Sequence, residues 1–353
     1  MPFTAQEIEN IANATLDFHL ERGHVESQTI QERPLYDQIL KTSREFPGAK
    51  EFVTERVKGV YTTTLQGFKD SQTVGYANPA NIKTASYVWK LMHSGIEFTM
   101  HEMAINGIHF SETNTGAGGS NASEAEQIQL ANLLEDKLED MTEGTERDLD
   151  RMFHEDGTTD PDLVPGVPSF VVDDPTDALV VGGIDQLANP WWRNRANLNI
   201  AVTSGTPEDQ ILINTLSKEW RQLRRYGGRP TIALCGETWL DWMEKELRAR
   251  GVYTQEGWAA KGKIDVSMAD LVFKNCMFVY DPTLDDLSKS DYMYWLDISR
   301  RSIQLRPLAS EWMKRHTPSR PEDKYVFYRA LTSMAALTCK RRNANGVYKV
   351  VIS

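Results

Sequence analysis

From Ser123 to Met152 an apolar residue recurs every three or four positions: Ile128, Ala131, Leu134, Leu138, Met141, Leu149 and Met152. Thr145 holds the position between the last two stripes. This is the period of an α-helix, and Ser123 followed by Glu126 is a capping box that starts it. About thirty residues at 1.5 Å each make a rod of about 45 Å. Only one narrow stripe of that rod can be buried. Between Ser123 and Asp156 twelve acidic residues face Lys137, Arg147 and Arg151, which leaves the segment at −9. The spacing therefore predicts a spine laid along other elements by its apolar stripe, with an acidic back. Gly144 costs about 1 kcal/mol inside such a helix and marks a bend.

The chain before the spine reads differently. Residues 1–50 hold a loose amphipathic pattern (Ile8, Ile11, Leu16, Leu20) broken at Arg33-Pro34 and Phe46-Pro47-Gly48. They read as an arm. Residues 51–66 are rich in β-branched and aromatic side chains and predict a strand, as do residues 84–99 with Thr84, Tyr87, Val88, Trp89, Ile96 and Phe98. A polar stretch, 67–83, separates them. The pair reads as a long hairpin with a wide loop. Neither strand carries enough apolar residues on one face for a core of its own, and an isolated ribbon is marginal in water. Such a projection is expected to be stabilised by another chain. A Gly-rich linker, Thr113 to Ser120, joins this region to the spine.

Beyond the spine comes a loop with Pro161, Pro165, Pro168 and Pro175, then Leu179 to Asp185 as a strand into a tight turn at Gly182-Gly183. From Thr206 the pattern becomes compact α/β. Helices are predicted over 207–225 and 237–250, the second stopped by Gly251. Strands are predicted over 231–235, 272–280, 292–298, 324–337 and 346–352.

Composition narrows the function. The chain has 353 residues, a net charge of −11 and 40% hydrophobic residues with nine Trp. That supports a substantial core and excludes wholesale disorder. No run approaches the roughly 18 apolar residues of a membrane span, and the first thirty residues do not read as a signal peptide. Cys235, Cys276 and Cys339 lie far apart, are odd in number and are expected to be buried, reduced thiols. The acidic balance argues against a dedicated nucleic-acid binder. His101-Glu102 opens like a zinc-protease motif, but Ile105 stands where the second His belongs. Gly116 and Gly118 precede the spine, but Asn121 holds the third glycine position, and no Gly-Lys-Ser/Thr follows. Asp173-Asp174 and Asp285-Asp286 sit in turn-like contexts. The seven His are scattered without metal-ligand spacing. No catalytic residue, cofactor site or metal site is expected.

The order of parts (arm, wide hairpin, Gly linker, long spine helix, α/β body) resembles the major capsid proteins of tailed bacteriophages, a fold shared with herpesvirus shells. Local sequence agrees across essentially the whole chain. Val181-Gly-Gly-Ile184-Asp185 with Asn189-Pro-Trp-Trp-Arg-Asn194 is similar to the segment that follows the spine helix in many of them. Gly227 to Cys235 is similar to the axial-domain strand, and Lys340-Arg341-Arg342 before a closing strand also fits.

The resemblance implies an α+β capsid fold. Its parts would be an N-terminal arm at 1–50, an extended β-hairpin loop with peripheral-domain strands at 51–110 and the spine helix at 123–155. Peripheral-domain residues would follow at 156–200, an axial α/β domain at 200–320 and a return to peripheral-domain strands at 321–353. It implies a structural protein that self-assembles as pentamers and hexamers into an icosahedral head shell, first as a procapsid, in the host cytoplasm. Its implied partners are a scaffolding protein, a portal, a decoration protein in some cases, and packaged double-stranded DNA contacted without sequence preference. No membrane is involved. The residues expected to touch neighbouring subunits are Phe52, Val57, Tyr61, Lys69, Tyr76, Lys83 and Trp89 from the hairpin, Trp191, Trp192 and Arg193 after the spine, and Arg341 and Arg342. Lys69 and Lys83 flank the loop tip, where some relatives form a Lys–Asn cross-link, and the sequence assigns no partner Asn. The alternatives are another phage structural or scaffold-associated assembly protein, and an α/β nucleotide-binding enzyme built on 200–300.

Residues 299–353 carry +9 against the −9 of the spine segment. The two blocks are either solvated faces or complementary surfaces of neighbouring subunits. On the second reading, reversing Arg341 and Arg342 to Glu is expected to slow or prevent shell closure while leaving the isolated subunit folded.

Overall fold

The structure is a computed structural model and describes residues 3–4, 31–48, 50–76, 81–105, 110–111, 124–202, 211–249, 271–274, 276–316 and 325–352. The Gly-rich linker, the Ser123 cap, the Ile128 and Leu134 side chains and Gly251 lie outside the described residues. The chain divides into two compact units. One comprises Met1–Gln31, Leu91–Leu149 and Ser310–Met334, the other Glu32–Lys90, Asp150–Ala309 and Ala335–Ser353. Among the described residues no helix is long and apolar enough to cross a membrane.

In the first unit, strands β1 (Phe3–Thr4) and β5 (Phe110–Ser111) pair in parallel. The spine helix is one uninterrupted element, Glu124–His154, of 31 residues and about 45 Å. It runs through Gly144 without a break. Its Leu138 and Met141 pack on Leu331, with Ile96 and Met313 at the margin. Leu331 belongs to β15 (Val326–Cys339), which pairs here with β4 (Lys90–Thr99) and β14 (Lys314–His316). Polar ties flank that contact. Lys137 Nζ reaches Glu102 Oε2 at 2.7 Å, and the Thr145 hydroxyl meets Ser94 Oγ at 2.7 Å. The expectation of an apolar stripe seated on strands is met at Leu138 and Met141.

The second unit is built on a six-stranded sheet in the order β10-β11-β9-β12-β16-β8. These strands are β8 (Arg195–Val202), β9 (Ile232–Cys235), β10 (Leu271–Phe273), β11 (Cys276–Tyr280), β12 (Tyr292–Leu296) and β16 (Gly346–Ile352). Helices Ile211–Arg224 and Glu237–Ala249 supply Leu212, Leu216, Trp220, Trp239 and Met243 to a core shared with Phe278, Met293, Trp295 and Tyr348. Trp239 stacks on Phe278 at 5.4 Å, and Trp220 lies 5.0 Å from Trp295. The buried Glu246 carboxylate accepts the Leu212 and Ile213 N–H groups at the start of the Ile211–Arg224 helix, where the dipole favours a negative charge. Cys235, Cys276 and Cys339 are free and buried, and burial pushes all three thiols up, Cys339 to about 12.

Several expectations need correction. Residues 34–48 are not an arm. Pro34 opens helix α1 (Pro34–Lys41), whose Leu35, Tyr36 and Ile39 are buried in the second unit. Proline breaks a helix interior but suits its first turn, where no N–H is needed. Residues 84–99 are not one strand. The chain leaves β3 (Ile82–Val88) at Trp89 and starts β4 in another sheet, and the Trp89 indole N–H donates to the Lys50 carbonyl. Residues 272–280 form two strands, turned at Lys274 with φ 49°. Finally, the strands of 321–353 part company. β15 pairs with β4, β13 (Ile303–Pro307) and β14, whereas β16 enters the six-stranded sheet between β12 and β8. The cause lies in side-chain burial. Tyr348 and Val350 are buried in the aromatic core, a place no local pattern specifies.

Candidate subunit-contact surface

The hairpin predicted from sequence has a stem and a tip of opposite character. In the stem, β2 (Phe52–Lys58) and β3 pair antiparallel with Val53 opposite Tyr87 and Val57 opposite Lys83. Contrary to the sequence expectation, this register gathers four buried apolar residues on one face, with Glu55 and Lys83 between them. Val53, Val57, Ala85 and Tyr87 are all buried. Tyr87 packs edge-on against Phe170 at 5.5 Å, and its hydroxyl donates to the Cys339 carbonyl. Burial pushes that phenol far above its ordinary range. Gly182 and Gly183, both at positive φ, turn β6 (Val180–Val181) into β7 (Ile184–Asp185) directly over Ala85 and Tyr87. A side chain at that turn would be strained. The Gly182 carbonyl accepts the Ser86 N–H at 3.0 Å.

The root of the tip is fixed by the Trp-rich segment after the spine. The Trp191 indole lies so close over Gly59 that a Cβ there would fall 1.8 Å from the ring. Trp191 meets the buried Trp192 edge-on at 5.9 Å, and the Trp192 indole N–H donates to the Val181 carbonyl. Lys83 Nζ donates to Asn189 Oδ1 at 2.7 Å. Glu55 on the stem receives Arg306 at 2.7 Å and Lys340 at 3.4 Å.

Beneath this root lies Arg342, fully buried. Its guanidinium donates to the Phe170 carbonyl at 2.7 Å, the Trp192 carbonyl at 3.1 Å, Gln186 Oε1 at 3.0 Å and Asn194 Oδ1 at 3.3 Å. All four acceptors are neutral. Burial lowers its pKa to about 10.

Beyond Gly59 the picture inverts. Every residue from Val60 to Tyr76 is exposed. Leu65 is as exposed as in an open chain (103%), and Tyr61, Phe68 and Tyr76 are 75%, 65% and 96% exposed. Internal bonding is sparse: a turn from Lys69 to Gln72, the Asn81 amide donating to Thr62 Oγ1 at 3.5 Å, and Lys58 Nζ 4.3 Å from the Tyr61 ring centroid. Large apolar side chains gathered in one exposed segment mark a contact surface.

The twelve candidate contact residues therefore divide. Tyr61, Lys69 and Tyr76 lie on the open tip, and Phe52 is exposed on β2. Lys83, Trp89, Trp191, Arg193 and Arg341 are engaged within their own chain, with Arg193 donating to the Gln186 and Leu187 carbonyls and Arg341 to the Gly227 carbonyl. Val57, Trp192 and Arg342 are buried inside the chain and leave the set of surface contacts. Leu65 and Phe68, the most instructive residues of the tip, were passed over because 67–83 reads as polar and 59–66 reads as strand.

Among the described residues three titratable side chains converge with their ligand atoms within 4.8 Å of one another: Asp150, His154 and Asp281, all buried. Sequence reading placed Asp150 on the solvated back of the spine and found no spaced His. The Asp150–His154 spacing of four, on one helix face, was the available signal.

The sequence matches no family model and no curated protein. Solved structures do match over nearly the whole chain. The capsid asymmetric unit of cyanophage A-1(L) aligns at a TM-score of 0.65 with 12% identity, over 92% of this chain and 94% of the other. The capsid of Myoviridae phage XM1 aligns at 0.54 with 12% identity, covering 94% and 98%. The capsid of cyanophage P-SCSP1u aligns at 0.52 with 10% identity, covering 94% and 92%. The chain has the α+β fold of these phage capsid structures.

Proposed function

We propose that the chain is the major capsid protein of a tailed bacteriophage, a structural and non-catalytic subunit that closes, as pentamers and hexamers, into the icosahedral head shell around the genome. The observation that carries this reading is the hairpin: a stem locked into its own subunit and a tip, Val60 to Tyr76, whose aromatic and aliphatic side chains find no cover there. A free subunit gains nothing from displaying Tyr61, Leu65, Phe68 and Tyr76 to water, since each is worth about 1.5–3 kcal/mol when fully buried. A shell repeats that gain at every subunit contact. Likeness in fold to three phage capsid structures, at full length, supports it.

On this reading the tip lies on a neighbouring copy, the spine helix is the long axis of the peripheral domain, and the six-stranded sheet with its two helices is the axial domain. A scaffolding protein and a portal would assist assembly, a decoration protein could bind outside, and packaged DNA would be contacted without sequence preference. The subunit would reside in the virion head.

The test is direct. Full-length protein concentrated alone, or co-expressed with the phage scaffolding protein, is expected to give closed polyhedral particles by negative-stain microscopy. Open tubes, fibres or a soluble monomer under both conditions would reject the reading in favour of another structural or assembly role.

A further inference from the structure

The last turn of the spine helix carries a buried polar cluster that shell building does not require. His154 is 4% exposed, Asp150 1% and Asp281 0%. His154 Nδ1 lies 2.9 Å from the carbonyl oxygen of Asp150 and 3.6 Å from its carboxylate. On the far side of the ring, Nε2 lies 2.7 Å from Asp281 Oδ2. A main-chain carbonyl can only accept, and so can an ionised carboxylate. A neutral imidazole has one N–H and would leave one of these two contacts without a proton.

Both carboxylates also accept from other donors. Asp150 receives the Tyr36 backbone N–H and the Thr283 hydroxyl, and Asp281 Oδ1 receives the Thr283 N–H as the cap of helix Pro282–Asp286. A divalent ion would need to enter between Nε2 and Oδ2, where the 2.7 Å separation is that of a charge-assisted hydrogen bond. Metal–nitrogen and metal–oxygen bonds of about 2.0–2.2 Å each would push the two atoms apart.

We propose that Asp150, His154 and Asp281 form a proton-binding site, an imidazolium clamped between two carboxylates, that ties the end of the spine helix to α1 and to the helix at Pro282–Asp286. The site makes the second unit take up a proton when it folds. Burial alone would depress the imidazolium, but the charge and hydrogen bond of Asp281, followed by those of Asp150, outweigh it and hold His154 at about 9. Burial also raises Asp150. The other titratable neighbours are Cys235, which faces Asp281 and is kept neutral by burial, and Glu155, Asp156, Asp173, Lys289 and Tyr294, which line the cleft beside the ring.

The sign follows from linkage. A base whose pKa is higher folded than unfolded stabilises the fold fully below its ordinary value of about 6.5, and that stabilisation is lost as pH rises through about 9. The clamp is closed at neutral pH and opens in alkali.

The full-length protein and its His154→Gln variant are compared by thermal melting from pH 6 to pH 10. The wild-type advantage is expected to be greatest at pH 6 and to vanish by pH 10. A difference constant with pH overturns the proposal. If His154→Gln does not fold, the wild-type ring still decides. Its pKa, read from C2-hydrogen exchange by mass spectrometry, is expected about 2.5 units above 6.5, a roughly 300-fold tighter hold on the proton. A value at or below 6.5 overturns the proposal. Melts repeated with zinc chloride or with EDTA are expected to coincide. An EDTA-sensitive melt would mean that the cluster holds a metal ion instead.

Discussion

Three adjacent basic residues, Lys340, Arg341 and Arg342, are indistinguishable in sequence and do different work. Arg342 is the hub on which the Trp192 segment, the Phe170 loop and Gln186 converge, and removing it strands four buried acceptors. Arg342→Leu is expected to cost about 3–5 kcal/mol, because several buried acceptors lose their donor at about 1–3 kcal/mol each. A denaturant melt of the isolated subunit measures it. The Arg341 side chain donates to the Gly227 carbonyl at a partly exposed position. Arg341→Glu is expected to change that melt by no more than about 0.5 kcal/mol. The double reversal expected from sequence alone would therefore unfold the subunit through Arg342, and only the single Arg341 change can test subunit charge pairing. No local pattern separates these residues. A short 3₁₀ turn, Arg342–Ala344, aims one side chain inward, and the acceptors it meets are contributed from 148 to 172 residues away.

Secondary-structure elements were the most legible level, and their partners the least. The spine helix, both body helices and β16 stand where the periodicity puts them, because each has an unmixed pattern over its full length. The hairpin was foreseen, but its stem and tip were assigned the wrong characters. Val53, Val57, Ala85 and Tyr87 form a face only once pairing sets them side by side, since polar Thr54, Arg56, Thr84 and Ser86 alternate with them. The tip looked polar because Leu65 and Phe68 are isolated among Thr, Gln, Lys and Asp. These two give the sharpest test of the element. Leu65→Ser with Phe68→Ser removes apolar surface that is already in water, so the subunit's melting temperature is expected to stay within about 2 °C, consistent with a surface change of up to about 0.5 kcal/mol. Particle yield by sedimentation is expected to collapse. Normal particles from this variant would mean that the tip is not a contact surface.

At the scale of the whole molecule, the general architecture could be read from the order of parts, whereas the division into units could not. Each unit is assembled from three separated stretches, and both the spine helix and β15 pass from one to the other along the chain, between Leu149 and Asp150 and between Met334 and Ala335. Sequence reading works along the chain and draws boundaries there, so it placed β15 and β16 together. The insertion of β16 between β12 and β8 also has a consequence in time. Strand β8 at 195–202 pairs in parallel with β16 at 346–352, and β12 holds its other side. Pairings this distant in sequence are slow to form. Until residue 352 has left the ribosome, β8 and β12 each face an empty slot. A chain ending at Asn345 is expected to accumulate as insoluble material in a fractionated lysate, whereas the full chain is soluble. The slot thus acts as a timer: a chain whose residues 346–352 are still unmade has no finished six-stranded sheet, whatever its other elements have reached.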